Sequence, residues 1–385
     1  MQCDHFDSAR CRSCALMGVE YAAQLAAKQD RCRRALAQFV APGAWLVPYP
    51  SAESRFRNKA KLAVGGRPGR VSIGILDGFG AGVDLRDCGL YEPGLGDVLP
   101  RVADVVDAMG LEPYDVPARR GELKHLILTH SPDGEVMIRF VVRSRRYETL
   151  LRRHLPTIRR EIPAAAVVSL NIQPEHKAVL EGRREIVLTE RALLPMRVND
   201  AVLQLRPNSF FQTNTAVAAA LYRQARTWLA AVSPRVVWDL FCGVGGFALH
   251  CATVGSPPPD EVCGIEVAPE AVAGARISAR ALVESGAVPG RLRFTVGDLT
   301  DVAAARGRSA PDAVVVNPPR RGLGSPLARW VAGSSARHVV YSSCNVGSLA
   351  ADLAMLPGLR PVAARLFDMF PQTEHHEVMV LLERA

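Results

Sequence analysis

The sequence predicts an α/β protein whose C-terminal half contains a doubly wound sheet, and three observations support that fold class. From about residue 215, apolar strand-like runs alternate with helical stretches in a βαβ rhythm. The strand-like runs are apolar almost throughout, which is typical of strands covered on both faces. A glycine-rich loop, DLFCGVGGF at 239–247, connects the first such strand to a helix. We therefore expect a Rossmann-like domain at 206–385.

The elements of this domain follow from the apolar runs and from the helical spacing between them. Its strands are predicted at 235–241, 261–267, 291–296, 312–317, 337–342 and 378–383. Its helices are predicted at 215–231, 247–253, 269–286, 325–333 and 346–355.

The preceding part of the chain predicts a second, central α/β domain at 49–205, which includes Cys88. Its strands are predicted at 59–64, 71–76, 125–130, 136–143, 169–174 and 185–190, and its helices at 94–110 and 147–161. A helix at 15–40 follows an N-terminal group of cysteines and stops before Pro42 and Gly43. We expect residues 1–48 to form a separate N-terminal element.

Composition narrows the class of protein. The chain has 385 residues, of which 48% are hydrophobic and 22% charged, as in globular proteins. It lacks both the run of roughly 18 apolar residues that a membrane helix needs and the apolar N-terminal segment of a secretory signal. We therefore expect a cytoplasmic protein with no membrane partner and with no obligate protein partner evident. The net charge of +9 fits an anionic partner such as nucleic acid, although arginine-rich composition alone also explains it.

The glycine loop predicts a nucleotide site. Gly243 and Gly245 allow the backbone to approach a ligand closely. Glu266 ends the next strand, where a carboxylate accepts hydrogen bonds from a ribose diol, and Asp298 follows the third strand, within reach of a base amine. Two acidic strand ends disfavour a dinucleotide phosphate and favour an adenosine ligand such as S-adenosylmethionine. The other interpretation is that these carboxylates cap helices.

The motif NPPRRG at 317–322 follows the fourth strand of this domain. Its two prolines stiffen the loop, so that Asn317 can direct its amide at a base or at the cofactor, while Arg320 and Arg321 face phosphate. Amino-methyltransferases carry Asn-Pro-Pro-aromatic at this place, which supplies a rival hypothesis. Here the residue after the prolines is Arg320.

A thiol and a carboxylate lie at two strand ends downstream of the glycine loop. Cys344 belongs to SSCN at 342–345, and Glu377 belongs to EHHEVMVL at 374–381. This pair indicates covalent attack by sulfur together with proton removal by the carboxylate. A cysteine at a strand end also occurs for packing alone, which is the alternative interpretation.

Four cysteines predict a metal site in the N-terminal part of the chain. Cys3, Cys11 and Cys14 form a cluster, and Cys88 lies downstream in LRDCGLYEP. Their spacing suits a zinc ion and a [4Fe-4S] cluster equally well. A disulfide framework is not expected in a reducing compartment.

Two basic segments predict contacts with RNA. SRFRNKAKL at 54–62 and RRGELKH at 119–125 mix cations with an aromatic side chain or a backbone turn, as single-stranded RNA recognition requires. A solvated basic face is the alternative. The candidate RNA-binding residues are Arg55, Phe56, Arg57, Lys59, Arg119, Arg120 and Arg320.

Five motifs together resemble the RNA uracil-5-methyltransferase family: SFFQTN at 209–214, DLFCGVGGF, NPPRRG, SSCN and EHHEVMVL. The resemblance extends over nearly all 385 residues and is strongest to the bacterial branch that methylates one uridine of 23S rRNA. It implies S-adenosylmethionine as cofactor and 23S ribosomal RNA as partner. The alternatives are the same chemistry on another rRNA uridine or on tRNA, and a non-catalytic iron-sulfur RNA-binding protein.

The resemblance also implies roles for particular residues. Cys344 is expected to add to carbon 6 of uracil, which makes carbon 5 nucleophilic, and Glu377 to remove the proton from carbon 5 after methyl transfer. The implied cofactor contacts are Gln212, Phe241, Glu266 and Asn317. The implied ligands of a [4Fe-4S] cluster are Cys3, Cys11, Cys14 and Cys88. Other members carry Asp at the position of Asn317, so a catalytic role of a carboxylate there does not transfer.

Overall fold

A computed structural model describes residues 1–255, 257–288, 290–298 and 309–385 of the chain. Contacts between Cα atoms divide it into two compact units. Unit 1 comprises residues 1–18, 52–196 and 206–208, and unit 2 comprises residues 19–51, 197–205 and 209–385. Within the residues described, no helix is long and apolar enough to cross a membrane.

The helices and strands, in chain order, have the following bounds. The helices are α1 Asp4–Asp7, α2 Tyr21–Ala35, α3 Pro93–Ala108, α4 Glu148–Glu161, α5 Thr215–Val232, α6 Gly246–Cys251, α7 Pro269–Glu284, α8 Ser325–Gly333 and α9 Val346–Leu353, with a short 3-10 turn at Pro42–Ala44. The strands are β1 Lys59–Arg67, β2 Arg70–Leu76, β3 Gly82–Asp84, β4 Leu123–His130, β5 Val136–Val142, β6 Ala165–Ile172, β7 Arg184–Val187, β8 Leu194–Val198, β9 Ala201–Leu205, β10 Val236–Leu240, β11 Glu261–Glu266, β12 Arg291–Val296, β13 Ala313–Val316, β14 His338–Ser343, β15 Leu359–Phe367 and β16 Glu377–Arg384.

Unit 1 is built on a sheet with the strand order β3-β2-β1-β4-β5-β6-β7, antiparallel except for the pair β5 and β6. Side chains alternate between the two faces of a strand. Leu62 and Val64 of β1 therefore share one face, where they join the hydrophobic core that α3 and α4 help to form. Lys61 and Ala63 point to the opposite face, which carries polar and charged groups.

Arg139 anchors this polar face. Its side chain is 1% exposed and makes a two-pronged contact with Glu185, with Nη2 2.7 Å from Oε2 and Nε 3.1 Å from Oε1. The guanidinium also donates to Glu181 and to Asn208, each at 2.6 Å. A buried charge is tolerated when it is paired and hydrogen-bonded, as this guanidinium is.

Unit 2 contains a sheet with the order β12-β11-β10-β13-β14-β16-β15. Strands β10 to β14 are parallel, as the sequence predicts, and β16 runs antiparallel between β14 and β15. Strand β15 was not predicted, because polar residues and Pro361 interrupt its apolar pattern at the edge of the sheet. The strand order reverses at the β10–β13 pair, which is where open α/β sheets bind ligands.

The domain boundaries expected at 48/49 and 205/206 differ from this division. Residues 1–18 belong to unit 1 and residues 19–51 to unit 2, so 1–48 is not one element, and residues 197–205 belong to unit 2 while 206–208 belong to unit 1. The helix predicted at 15–40 is α2, which is shorter, and it belongs to unit 2 because Cys32, Leu36 and Trp45 pack in the core that contains Trp238. Strand β9 also belongs to unit 2, since it packs against α7 and the Gln204 N–H donates to the Ser278 hydroxyl at 3.0 Å.

Candidate active site

The carboxyl ends of the parallel strands of unit 2 carry polar side chains along one edge of the sheet. Glu266 ends β11, Phe241 directly follows β10, Asn317 directly follows β13 and Cys344 directly follows β14. Because these strands are parallel and adjacent, their carboxyl ends lie along the same edge of the sheet. The strand order reverses between β10 and β13, in the middle of this group. Phe241, Glu266, Asn317 and Cys344, all predicted from the sequence as cofactor or catalytic residues, therefore share this edge.

The glycine loop adopts a backbone that suits a close ligand. Gly243 and Gly245 have φ angles of 54° and 90°, in the left-handed region that glycine tolerates. Phe241 has a φ of 67°, which is uncommon for a bulky residue and is characteristic of functional sites. A Cβ atom at Gly246 would lie 2.4 Å from the ring of Tyr222, so only glycine lets α6 begin there.

Glu266 ties this loop to the start of α7. Its Oε2 accepts a hydrogen bond from Gly243 N at 3.1 Å, and its Oε1 accepts one from Ala268 N at 2.9 Å. Each carboxylate oxygen keeps a further acceptor position for a ligand hydroxyl. Of the other predicted cofactor contacts, Gln212 is buried before α5, whereas Asp298 is exposed beyond β12.

Asp239, at the end of β10, is fully buried beside the loop. Its Oδ2 accepts a hydrogen bond from Ala248 N at 2.9 Å, while Oδ1 has no hydrogen-bond partner in the part of the chain that the structure describes. Burial raises the pKa of Asp239 to about 8, and the neighbouring Glu266 contributes in the same direction. Burial therefore favours the neutral carboxyl group, which keeps one polar atom that a bound ligand can satisfy.

Cys344 and Glu377 come together through the pairing of β14 with β16. The last antiparallel pair in that ladder is Ser343 with Val378, so the next position sets Cys344 opposite Glu377. Glu377 is 3% exposed, whereas Cys344 is half-buried. The Ser342 hydroxyl donates to Glu377 Oε2 at 3.3 Å. Burial raises the pKa of Glu377 to about 8 despite this hydrogen bond.

The thiol of Cys344 lies between a carboxyl and a guanidinium. Burial and Glu377 raise the pKa of Cys344, while a hydrogen bond and the charge of Arg320 oppose that rise. Arg320 is itself positioned by its Nη2, 2.9 Å from His375 Nδ1, and by its carbonyl, which accepts from Asn345 Nδ2 at 3.0 Å. The arginine therefore stabilises the thiolate that nucleophilic attack requires.

Helix α2 holds the segment that leads into Glu377. Lys28, which is 1% exposed, donates to Asp368 Oδ1 at 2.6 Å and to the carbonyl of Phe370 at 3.1 Å. The thiol of Cys32 lies 3.1 Å from His376 Nε2, directly beside Glu377 in the chain. These buried contacts fix the backbone immediately before the carboxylate.

Comparisons with known proteins identify the family. The family model described as tRNA (Uracil-5-)-methyltransferase matches residues 182–385. Over its full length the chain is 45% identical to the 23S rRNA (uracil(747)-C(5))-methyltransferase RlmC of Halothiobacillus neapolitanus, covering 100% of both chains. This chain belongs to the RNA uracil-5-methyltransferase family. The RlmC protein of Salmonella newport is also 45% identical, with 100% of both chains covered.

A solved structure shows that this RNA uracil-5-methyltransferase has the fold of a known enzyme. The Pyrococcus abyssi tRNA (uracil-54, C5)-methyltransferase, in complex with S-adenosyl-L-homocysteine, superimposes with a TM-score of 0.77. The match covers 97% of this chain and 84% of that one, at 24% sequence identity. The predicted α/β class with a Rossmann-like C-terminal sheet is thus confirmed.

The predicted metal ligands of this RNA uracil-5-methyltransferase lie in unit 1. Cys14 is buried, and Cys3, Cys11 and Cys88 are partly exposed. Burial raises the pKa of Cys14 to about 11, and the nearby thiols of Cys88, Cys11 and Cys3 act in the same direction. Among residues 1–255, 257–288, 290–298 and 309–385, no three His, Cys, Asp or Glu side chains are already arranged to hold a metal ion.

The residues predicted to contact RNA in this methyltransferase differ in their exposure to solvent. Arg55, Arg119 and Arg120 are exposed, as RNA contacts must be. Phe56 is not an exposed stacking ring, because it is 6% exposed and packs with Cys14 and Leu90 in a small core.

The other cationic candidates, Lys59, Arg57 and Arg320, lie close to other charged groups or to thiols of the protein. Burial lowers the pKa of Lys59 to about 8, helped by the nearby cations Lys61 and Arg139. Arg57 is half-buried, and its charge acts on the Cys14 and Cys88 thiols. Arg320 touches the Cys344 thiol rather than standing apart from the catalytic residues.

Sequence reasoning assigned no site role to several residues that shape this methyltransferase site: Asp239, Ser342, His375, Lys28 and Cys32. Asp239 and Ser342 lie inside the motifs DLFCGVGGF and SSCN, so a polar residue within an apolar strand was the available signal. Lys28 and Cys32 lie more than 300 positions from their partners and gave no local signal, because only tertiary packing brings them to the site.

Proposed function

We propose that this chain transfers a methyl group from S-adenosylmethionine to carbon 5 of uracil 747 in 23S ribosomal RNA. The RlmC relatives named for that reaction are 45% identical over the whole chain, which supports the proposed substrate. The observation that carries the proposed chemistry is the placement of Cys344 opposite Glu377, at the sheet edge that also presents the glycine loop. A cytoplasmic location belongs to this proposal.

Cys344 begins the reaction. Carbon 5 of uracil is a weak nucleophile, so the thiolate first adds to carbon 6, forming a C–S bond and placing the negative charge of an enolate on the ring. Arg320 favours the thiolate through its charge and hydrogen bond. The half-exposed position of Cys344 gives an extruded base access to sulfur.

Glu377 completes the reaction. S-adenosylmethionine, when bound, supplies the methyl group that carbon 5 takes up. The carboxylate of Glu377 then accepts the remaining proton from carbon 5, the electron pair re-forms the C5–C6 double bond, and the C–S bond breaks to release Cys344. Ser342 orients the carboxyl group through its hydrogen bond to Oε2.

The cofactor is assigned to the residues around the glycine loop. Gly243 and Gly245 give the loop its open backbone, and Glu266 keeps free acceptor positions for the ribose hydroxyls. The unpartnered Oδ1 of Asp239 fits a polar group of the same ligand. Side chains proposed to contact the cofactor in addition are Gln212, Phe241, Asp298 and Asn317.

We further propose that Cys3, Cys11, Cys14 and Cys88 hold a [4Fe-4S] cluster. Three thiols that act on the buried Cys14 thiol, together with the charge of Arg57 nearby, fit a polyanionic cluster that needs thiolate ligands. Metal binding removes the thiol protons, so raised pKa values make that binding depend on pH. The role assigned to the cluster is to stabilise unit 1, since transfer of a methyl cation to an enolate consumes no electron.

The experiment that tests the function is methyl transfer from labelled S-adenosylmethionine to transcripts. A 23S rRNA fragment containing uridine 747 is compared with the same fragment carrying cytidine there, and with tRNA, and the product is mapped by mass spectrometry. Label in the first transcript alone supports the proposal. Label in tRNA or at another uridine would show that the substrate is a different one. RNA binding without any label would indicate a non-catalytic protein.

A further inference from the structure

Unit 1 contains a cavity of about 480 Å³, and all the residues that line it belong to unit 1. Its size is within the roughly 300–1,000 Å³ typical of ligand pockets. Strands β1, β2 and β4 supply its floor through Lys61, Ala63, Gly74 and His125. Ala63 pairs with both Gly74 and His125, so these positions form one row across the sheet. Tyr114, Val116, residues 176–178 and Leu180 supply further lining.

The lining is cationic. It contains the side chains of Lys61, Lys124 and Lys177 and no aspartate or glutamate. Lys61 is ion-paired with Glu181 at 3.0 Å and Lys177 with Glu175 at 2.8 Å, whereas the hydrogen bonds of Lys124 go to neutral groups. Lys124 is 7% exposed, and its Nζ donates to Gln173 Oε1 at 2.9 Å and to the carbonyl of Glu175 at 2.6 Å. Both acceptors are neutral, so these bonds leave the positive charge of Lys124 to act on an anion in the cavity.

The lining also carries rings and polar ring atoms. The Tyr114 hydroxyl is 2.9 Å from His176 Nδ1, and the two ring centroids are 6.2 Å apart. His125 Nδ1 is buried without a hydrogen-bond partner in the described ranges. Burial and the adjacent Lys124 lower the pKa of His125 to about 4, so the ring is neutral and offers one donor and one acceptor nitrogen. That pair matches the edge of a nucleobase.

Apolar side chains complete the cavity. Leu76, which lies on the same face of β2 as Gly74, and Leu180 supply surface against which a flat base can lie. The segment 174–180 is exposed throughout, so a ligand that continues beyond the cavity meets no enclosing wall there. Cations, rings and apolar surface around an open cavity are the combination that binds single-stranded nucleic acid.

We propose that this cavity binds one unpaired nucleotide of the RNA substrate, separate from the uridine that is methylated. The base lies against the apolar wall with its edge toward His125, and the phosphate lies near Lys61, Lys124 and Lys177. This inference rests on the proposed function, because that function makes RNA the polyanion that the protein must hold. A free mononucleotide shares the chemistry, and the test separates the two sources.

The test uses the full-length protein and the 23S rRNA fragment. Lys177→Glu reverses an exposed charge at the cavity, and His125→Phe removes the polar ring atoms while keeping a flat ring. Arg153→Glu is the matched control, since Arg153 is exposed on α4 outside the cavity and undergoes the same change of charge. Melting curves and binding of S-adenosylhomocysteine verify that each variant is folded.

We expect Lys177→Glu and His125→Phe each to weaken RNA binding by roughly tenfold, as loss of one bound nucleotide does. For Lys177→Glu the slope of log affinity against log salt should fall by about 0.7, the value for one phosphate contact on a single strand. KM for RNA should rise while kcat at saturating RNA stays unchanged. Arg153→Glu should match the wild-type protein in all three measurements.

Ultraviolet cross-linking of the RNA supplies an independent readout, with the linked peptide identified by mass spectrometry. A peptide containing Tyr114 or His176, linked to a nucleotide other than the methylated uridine, is the expected product. RNA affinity equal to the wild type in both variants would overturn the inference, as would a mononucleotide that fills the cavity without competing with RNA. A wild-type protein that cross-links here but methylates no rRNA would instead overturn the proposed function.

Discussion

Cys344 and Glu377 lie opposite each other across the antiparallel pair β14 and β16, one position beyond Ser343 and Val378. Successive side chains of a strand point to opposite faces, so a shift of one residue in this pairing would turn the carboxyl group away from the thiol. The register of the last strand therefore determines whether the base can reach the carbon next to the one that sulfur attacks.

Replacing Glu377 by Gln should trap the covalent intermediate. The amide has nearly the shape of the carboxyl group but cannot accept the proton from carbon 5, so the C–S bond cannot be released. A protein–RNA adduct that survives a denaturing gel is the expected result. The double variant Cys344→Ala/Glu377→Gln should give no such band. If Glu377→Gln alone methylated RNA at the normal rate, Glu377 would not be the base.

The rate of methylation should rise with pH between about 6 and 9. The pKa of Glu377 is raised to about 8 and that of Cys344 is raised as well, and both groups act in their deprotonated forms. A single-turnover pH profile measures this directly. A rate that is flat across this range would show that neither group titrates there in the complex with RNA.

The raised pKa of Glu377 should also make the protein less stable, not more, as the pH rises. The native protein binds the Glu377 proton more tightly than the unfolded chain does, so this stabilising contribution is complete at pH values below the unfolded pKa near 4.5 and is lost as the pH rises through about 8. Glu377→Gln should therefore reduce the decline in unfolding free energy over that window. Denaturant titrations at pH 6 and pH 9 on both proteins make the comparison.

Asp239→Asn should bind the cofactor nearly as well as the wild type, whereas Asp239→Leu should not. The raised pKa of Asp239 favours its neutral form, and an amide preserves both that charge state and the acceptor for Ala248 N. Losing a buried hydrogen-bonding group costs about 1–3 kcal/mol, which is roughly 5- to 150-fold in affinity. Calorimetry with S-adenosylhomocysteine measures both variants. If both variants lost the same amount of cofactor affinity, the ionised form of Asp239 would be required for binding.

Lys28→Met should destabilise unit 2 and reduce activity together. It leaves the fully buried Asp368 without its ionic partner, and breaking such a pair costs about 3–5 kcal/mol. The matched control is Arg31→Met on the same helix, because the exposed Arg31–Glu374 pair contributes at most about 1 kcal/mol. Adding Asp368→Leu to Lys28→Met should restore much of the stability, and a Lys28→Met protein as stable as the control would contradict the packing argument.

Protein purified without oxygen should be brown and contain roughly four iron atoms per chain. Cys14→Ser should lose this iron, because the variant removes one of the four interacting thiols. Cys32→Ala is the matched control, since Cys32 is buried in unit 2 against His376 and should leave the iron content unchanged. Zinc in equimolar amount in the wild type would replace the proposed cluster with a zinc site.

Particular residues show how far sequence reasoning reached. The parallel strands β10 to β14 and the loop with Gly243 and Gly245 were predictable, because apolar runs and glycines report local backbone preferences. Strand β15 and the burial of Phe56 were not predictable from the sequence. An edge strand need not be apolar, and the burial of one aromatic ring depends on neighbours such as Leu90 that are distant in sequence.

The sequence by itself determined the α/β class, the strand ends that carry Glu266, Asn317 and Cys344, and the family to which the motifs belong. Only the tertiary structure decided that Glu377 faces Cys344 and that α2 fixes the segment before it. The physical reason is the range of the interactions. Hydrophobic periodicity and turn chemistry act over a few residues, whereas strand register, burial and the resulting pKa values depend on groups that folding brings together from distant parts of the chain.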